Sequence, residues 1–294
     1  MPPLPRLSPL PEKIQTLLFE RLSACFLCRK PDWRPLRLNG LSLGLLNEAW
    51  YGRLLDARLP GCTEGENGLQ LGAAGWRETG ETLQHLARGW YEAGLFHGWR
   101  GERFDVFDGR GRVLFELERA AFRPFGLYSR AVHINGMTRT AQGWHFWIGR
   151  RSPHKAVDPG KLDNLVGGGI AAGETAVQAM RREAWEEAGL GQGLPHFTRF
   201  AGKLHSLRLS PRGLHREYLY VFDSVLPPET LPQNRDGEVD GFLTMTAEEA
   251  ADAMWRGGMT DDAMLVTLDL FRRVGLVDAA RLFAAYPAGL FQSA

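Results

Sequence analysis

Gly168–Leu190, GGIAAGETAVQAMRREAWEEAGL, is the stretch on which the fold and the chemistry of this chain turn. Glycine at 167, 168 and 169 lets backbone pass where a side chain would clash, and Gly173-Glu174-Thr175 offers a helix start with an acid at its positive end. Gly189 sits where a left-handed helix stop is expected. Between these marks Glu183, Glu186 and Glu187 are related by three and four residues, so at about 100° per residue they share an arc of roughly 100°. The spacing predicts one acidic helix face. Ala179 and Ala176, one and two turns earlier, are expected to leave open space above it, and Val177, Met180, Ala184 and Ala188 to form a neighbouring apolar stripe packed on a sheet.

Three carboxylates on one face repel by a few tenths of a kcal/mol per pair in water, and by more in a cleft. A hard divalent cation offsets that repulsion, because Mg²⁺ takes oxygen ligands, keeps several waters and accepts its remaining ligands from phosphates. A solvated acidic face is the ordinary alternative for a lone Glu-x-x-Glu-Glu. The whole pattern decides between them. G-x5-E-x7-R-E-U-x-E-E-x-G-U, with U apolar, fixes seven residues and two apolar positions from Gly168 to Leu190. At about 5 to 7% usage per fixed residue, a chance match in a chain of this length has odds on the order of one in a million or below.

Around this stretch lie 294 residues with Lys+Arg 35, Asp+Glu 34, a net charge of +1, 44% hydrophobic and 23% charged residues. That is material for one large or two ordinary domains and excludes disordered, collagen-like and coiled-coil chains. Balanced charge exerts no standing pull on nucleic acid or anionic lipid, so the expected partner is a small molecule, with neither nucleic acid nor membrane. No apolar run approaches the roughly 20 residues of a bilayer span, and the opening MPPLPRLSPLPEK lacks a basic n-region and an apolar h-region. A cytoplasmic location is the expectation. Cys25, Cys28 and Cys62 make no disulfide framework, and the Cys-x-x-Cys pair supplies only half of a structural zinc site, so ordinary reduced thiols are expected.

Apolar spacing predicts helices over 12–27 and 79–95, the second opened by a Thr79 cap. Alternation over 103–107 and 113–117 around Asp108-Gly109-Arg110-Gly111 predicts a hairpin. Pro124 ends this first, α+β part, and a boundary is expected at 125/126, dividing the chain into a 1–125 accessory domain and a 126–294 domain. Strands follow over 131–137 and 144–148, then 197–207 and 217–222 joined through Ser210–Gly213, then 238–245, with helices over 246–255 and 261–273. That order suits a mixed sheet covered by helices on both faces.

The Gly168–Leu190 pattern is similar at every position to the Nudix box, and residues from about 126 to 270 resemble a Nudix hydrolase domain. The resemblance implies an α/β/α sandwich around a mixed sheet, and cleavage of a nucleoside diphosphate linked to another group, or of a similar organic diphosphate, by water with Mg²⁺ or Mn²⁺. Position by position, it implies that Glu183, Glu186 and Glu187 hold the metal, that Arg182 orients a glutamate, that Glu174 supports the loop and reaches the metal through water, and that the backbone carbonyl at Gly168 is a further ligand. The family places its general base variably, which leaves Glu183 or Glu186, with Glu238 of the acidic run 234–240 as an outside candidate. Arg150, Arg151, Lys155 and Lys161 before the box, and Lys203 after it, are candidates for holding a phosphate or the leaving group; Trp144, Phe146 and Trp147 are candidates for stacking or for the core.

A narrower likeness runs through Trp147–Ser152, Pro159–Glu174 and Asp236–Val239, which resemble the Nudix module fused to thiamine pyrophosphokinase in fungi. It implies thiamine diphosphate or its damaged forms as substrate. Isopentenyl diphosphate isomerase shares the architecture but needs a thiol near the sheet, and all three cysteines here precede residue 63. The alternative from another class is a non-catalytic Nudix module that senses a metabolite or joins partners; such modules commonly lose box acids, whereas this chain keeps Glu174, Glu183, Glu186 and Glu187. Pairing into a homodimer is expected by analogy alone.

Overall fold

The computed structural model describes residues 3–27, 29–65, 68–72, 75–108, 110–191 and 194–287, without the side chains of 195 and 196, and the backbone of 292–293. Cys28 and Gly109, the second thiol of the Cys-x-x-Cys pair and the glycine of the expected turn, lie outside them.

The chain opens with helix α1 (Glu12–Cys25), as its apolar spacing predicts. Strands β1 (Arg34–Leu38) and β2 (Leu41–Leu46) form a hairpin, α2 (Glu48–Asp56) follows with its first turn capped by the Asn47 side chain, and β3 (Cys62–Gly65) and β4 (Gly68–Leu71) complete a sheet in the order β2-β1-β4-β3. Strands of four to six residues joined by tight turns carry too little periodicity to be read from sequence. Helix α3 (Trp76–Glu92) begins a turn ahead of expectation. Its cap is Gly75, and Thr79 sits inside the first turn with its hydroxyl donating to the Gly75 carbonyl at 3.1 Å. Strands β5 (Arg103–Phe107) and β6 (Val113–Glu118) pair antiparallel, as their alternation predicts. Leu36, Leu54, Leu83, Trp90 and Phe125 meet in the core of this part.

Beyond Pro124 come β7 (Tyr128–Thr140), β8 (Gly143–Arg151), β9 (Leu162–Asp163), β10 (Val166–Gly169), α4 (Ala176–Ala188) and α5 (Leu194–Phe197). Then follow β11 (Thr198–Ser210), β12 (Gly213–Val225), β13 (Val239–Met245), α6 (Ala247–Trp255), α7 (Asp261–Val274), α8 (Ala279–Ala285) and β14 (Gln292–Ser293). The sheet runs β13-β8-β7-β12-β11-β14, with β10 against β7 and β9 against β8. It is mixed, because β7 runs parallel to β12 but antiparallel to β8 and β10.

Alternation along the strands sends side chains to two different layers. Val132, Ile134 and Phe222 meet Ala179, Met180 and Ala184 of α4, while Met137, Phe146 and Leu219 meet Leu265 and Leu268 of α7 on the opposite face. This is the α/β/α sandwich. Helix α1 belongs to the second layer: Leu18 and Leu22 are fully buried there beside α6, α7 and α8, and the preceding segment is tied down by Leu7 N–H to the Val274 carbonyl at 2.8 Å and Leu10 N–H to that of Leu276 at 2.9 Å.

The β5–β6 hairpin docks on the loop that leads into α4. Ala172 N–H donates to the Arg103 carbonyl at 2.8 Å, and Asp105 accepts from Gly173 N–H at 3.1 Å and from Arg130 Nη2 at 2.9 Å. Phe104 lies so close over Gly169 that any Cβ there would overlap its ring. Among the described residues no helix is long and apolar enough to cross a membrane.

Because Leu18 is fully buried in the sandwich layer, Leu18→Ala is expected to cost about 2–5 kcal/mol in urea unfolding. A loss below about 1 kcal/mol would show that α1 is not part of that core.

Candidate active site

Helix α4 is placed by its ends. The Thr175 hydroxyl accepts from Gln178 N–H and the Gln178 side chain accepts from Thr175 N–H, while Gly189 ends the helix at φ 65°, which a residue with a Cβ adopts only under strain. The strand facing it, β10, ends in Gly167-Gly168-Gly169, and its missing side chains leave room for acids. Glu183 fills that room, since a Cβ on Gly168 would overlap its carboxylate. Glu187 lies alongside, its Oε2 accepting from Gly167 N–H at 2.9 Å.

Ala179, Glu183 and Glu187 therefore form a buried face, and Glu186, with its side chain 43% exposed, points outward. Ala179 is packed under the sheet, so it leaves no open space as expected from the spacing; its small size lets the helix approach the strands. Val177 is exposed and does not join the apolar stripe, because it lies on the side of α4 away from the sheet.

Arg182 joins these acids. Its Nε and Nη2 donate to the two oxygens of Glu174 at 2.8 and 2.9 Å, its Nη1 to Glu183 at 2.8 Å and to Glu186 at 3.1 Å, and its Nη2 also to the Gly169 carbonyl at 3.1 Å. Glu174 accepts a further bond from Ala171 N–H at 3.0 Å, and the Arg182 pairing holds its carboxyl below the usual range. Burial works the other way on the inner acids. It pushes Glu183 up to about 7 against the pull of Arg182, and raises Glu187 well above its ordinary value with the Glu183 charge adding to the effect.

Glu238 approaches from the segment before β13 and is clamped by Lys155 and by Arg100, the latter at 2.9 Å. Burial would raise its pKa, but Lys155 and Arg100 outweigh that and hold it low. Lys155 also lies 3.8 Å from Glu187. A cleft of about 390 Å³ is lined from both parts of the chain, by Gly168, Arg182, Glu183, Glu186 and Glu238 of the second and by Arg100 and Arg119 of the first, whereas Glu174 and Glu187 are not among its lining residues.

The basic residues singled out from sequence divide. Arg151 and Lys155 line the cleft, but Arg151 is committed to Asp163 at 2.9 Å and to the carbonyls of Val157 and Asp158. Arg150 and Lys161 are not among its lining residues. Adjacent residues on a strand face opposite ways, which sends Arg150 to solvent near the Gly160 carbonyl, and Lys161 pairs with Asp158 at 2.8 Å. Lys203 sits over the Tyr218 ring at 4.6 Å. Phe146 and Trp147 are buried on opposite faces of the sheet and Trp144 packs at the edge of the α7 layer, so none of the three stacks in the cleft. Arg100, Arg119, Arg123, Arg208 and Arg212, which do line it, had no local motif to mark them.

The donor set suits a hard divalent cation. It is oxygen only, burial makes two of its acids resist ionising unless positive charge is supplied, and the glycine strand keeps side chains out of the way.

The family model described as NUDIX domain matches residues 127–263. Nudix hydrolase 24, chloroplastic, of Arabidopsis thaliana is 31% identical over 202 residues, covering 68% of this chain and 55% of that protein. Nudix hydrolase 20, chloroplastic, of the same plant is 31% identical over 188 residues, covering 63% of this chain and 50% of that protein. The chain thus spans about half the length of these curated relatives. A crystal structure from Deinococcus radiodurans is similar at 27% identity, covering 57% of this chain and 98% of that one with a TM-score of 0.45.

Glu183 has a stability consequence with a definite sign. Without a divalent cation it keeps its proton in the folded protein up to pH about 7, but in the unfolded chain only to about 4.5, so unfolding releases a proton in that window and stability falls as pH rises through it. The melting temperature of the cation-free protein is expected to drop between pH 4.5 and 7 by more than that of Glu183→Gln, and Mg²⁺ is expected to raise it more at pH 7.5 than at pH 5. Identical pH profiles for the two proteins would exclude this role for Glu183.

Proposed function

Residues 127–263 are a Nudix domain, and on that premise we propose that the chain hydrolyses the pyrophosphate bond of an organic diphosphate with the help of Mg²⁺ or Mn²⁺. The observation that carries the proposal is the convergence of Glu174, Glu183 and Glu186 on one guanidinium beside a side-chain-free strand at the edge of a cleft. Glu183, Glu186 and Glu187 would hold the cation, with Glu174 and the backbone at Gly168 in support. When bound, the cation neutralises diphosphate oxygens and lowers the pKa of the attacking water.

The chain's own residues do the rest. Arg182 keeps the acids at fixed positions, so little reorganisation is needed when substrate enters. Proton removal is assigned to Glu183 or Glu186, whereas Glu238, whose basicity Lys155 and Arg100 suppress, is assigned to closing the cleft. Thiamine diphosphate or its damaged analogues are the proposed substrates, supported by the likeness of Trp147–Ser152 and Pro159–Glu174 to the fungal module. The same proposal keeps 126–294 as the hydrolase unit and 1–125 as the accessory part, of which α1 packs into the sandwich layer while the residues from Leu36 onward have a core of their own, and a cytoplasmic location, the last supported by the free thiols Cys25 and Cys62.

Incubation with Mg²⁺ and a panel of organic diphosphates is expected to release phosphate or monophosphate, and Glu186→Gln to keep the fold while lowering kcat at least about a hundredfold. No turnover of any member by the wild-type protein would sink the hydrolase and favour a sensing module. Within the panel, thiamine diphosphate or an oxidised analogue is expected to show a higher kcat/KM than ADP-ribose or nucleoside triphosphates; equal or reversed values would remove the thiamine assignment alone.

A further inference from the structure

Six arginines outside the box line the same cleft as Glu183 and Glu186. Arg100 and Arg151 are paired with Glu238 and Asp163, each at 2.9 Å, which leaves four: Arg119 and Arg123 from the segment between β6 and β7, and Arg208 and Arg212 from the β11–β12 hairpin. Two of them are neutralised. Arg119 Nη1 donates to Glu102 at 2.5 Å, and Arg208 Nη2 donates to Asp262 at 2.7 Å. The other two are not. Among the described residues neither Arg123 nor Arg212 has a carboxylate at ion-pair distance; Arg212 Nη1 donates to the His97 carbonyl at 3.2 Å, and Arg123 Nη2 bonds His215 Nδ1 at 2.6 Å.

The partner of Arg123 is a neutral one. A guanidinium has only donors, so Nδ1 of His215 must accept, and the ring proton sits on Nε2, 3.3 Å from Asp262. The ring is buried, and burial keeps it from taking a second proton. This tautomer also argues against a cation at His215, Glu217 and Asp262, although their ligand atoms lie within 4.8 Å of one another. The Nε2 lone pair is already taken by the proton, and Asp262 accepts from Ser206 at 2.6 Å as well as from Arg208. Glu217 is held by the Ser129 hydroxyl at 2.6 Å.

Two positive charges thus face a cavity with only neutral hydrogen-bond partners. Burial, reinforced by neighbouring arginines and only partly offset by the charges of Glu217 and Asp262, lowers the Arg123 pKa to about 10, and burial with Arg119 and Arg208 pushes that of Arg212 down as well, a strain that an anion in the cleft would relieve. A purely structural duty, pinning the hairpin to the first part of the chain, accounts for one side-chain hydrogen bond each but not for two guanidinium groups without a direct ion pair at a cavity wall.

We propose that Arg123 and Arg212 form an anion subsite for the terminal phosphate of the substrate, selecting diphosphates that end in a phosphomonoester over those whose two phosphates are both internal. A terminal phosphate carries close to two negative charges near neutral pH and an internal one carries one, so two guanidinium groups match the former. The subsite rests on the hydrolase proposal for its substrate, but not for its existence.

Inorganic phosphate probes the subsite directly. Calorimetric titration of the cation-free protein is expected to show binding that weakens at least tenfold in Arg212→Gln. With Mg²⁺ present, ADP and ADP-ribose supply a terminal and an internal diphosphate on the same nucleoside, and the ratio of their kcat/KM values is expected to fall at least tenfold in Arg212→Gln and Arg123→Gln. Arg123 is the more buried, so if its variant fails to melt cooperatively, Arg212→Gln on the hairpin turn carries the test. Absence of phosphate binding by the wild-type protein, or an unchanged ratio in Arg212→Gln, overturns the subsite. Phosphate binding by a protein that hydrolyses no diphosphate keeps the subsite and removes the hydrolase instead.

Discussion

The like-charge repulsion among Glu174, Glu183, Glu186 and Glu187 is the constraint around which the second part of the chain is arranged. Left alone, carboxylates this close would separate or take up protons. Arg182 answers the first tendency, binding three of them with one planar fork, which a lysine with its single point of charge could not span. The second tendency persists at Glu183 and Glu187, where burial outweighs the neighbouring cations and leaves a standing demand for positive charge. The proposed cation meets that demand.

Glycine supplies the space. A residue with any side chain at 168 would displace Glu183, and one at 169 would strike Phe104, so the same short strand sets the depth of the acids and the approach of the first part of the chain. The contacts of Arg103 and Asp105 with Ala172 and Gly173 fix that approach at the start of the box. The accessory part thereby becomes a wall of the cleft, carrying Arg100 to Glu238 and Arg123 to the cleft lining.

Much of the second part was legible in order and type. Strands β7, β8, β11, β12 and β13 and helices α4, α6 and α7 follow from alternation and helical spacing, because each has one face turned to a core and one turned elsewhere. The four-stranded sheet of residues 34–71 was not, since its strands are too short to display a period, and the start of α3 was missed because Trp76 is partly exposed and Gly75 gives no side-chain signal. Around the box, spacing alone could not tell that Glu183 and Glu187 turn under the helix while Glu186 faces out, for all three fit within one arc.

Local sequence by itself determined the acidic helix, its glycine stops and the guanidinium at 182, because those features lie within one turn or two of each other and follow from helix geometry. Only the tertiary structure decided which cations face the acids. Arg150 and Lys161 sit near the box in the chain yet turn away from the cleft, whereas Arg100, Arg123 and Arg212 reach its walls from distant segments. The reason is physical: strand alternation and interdomain packing set the direction of a side chain independently of its distance along the chain, so the composition of a cleft between two parts is a property of their docking.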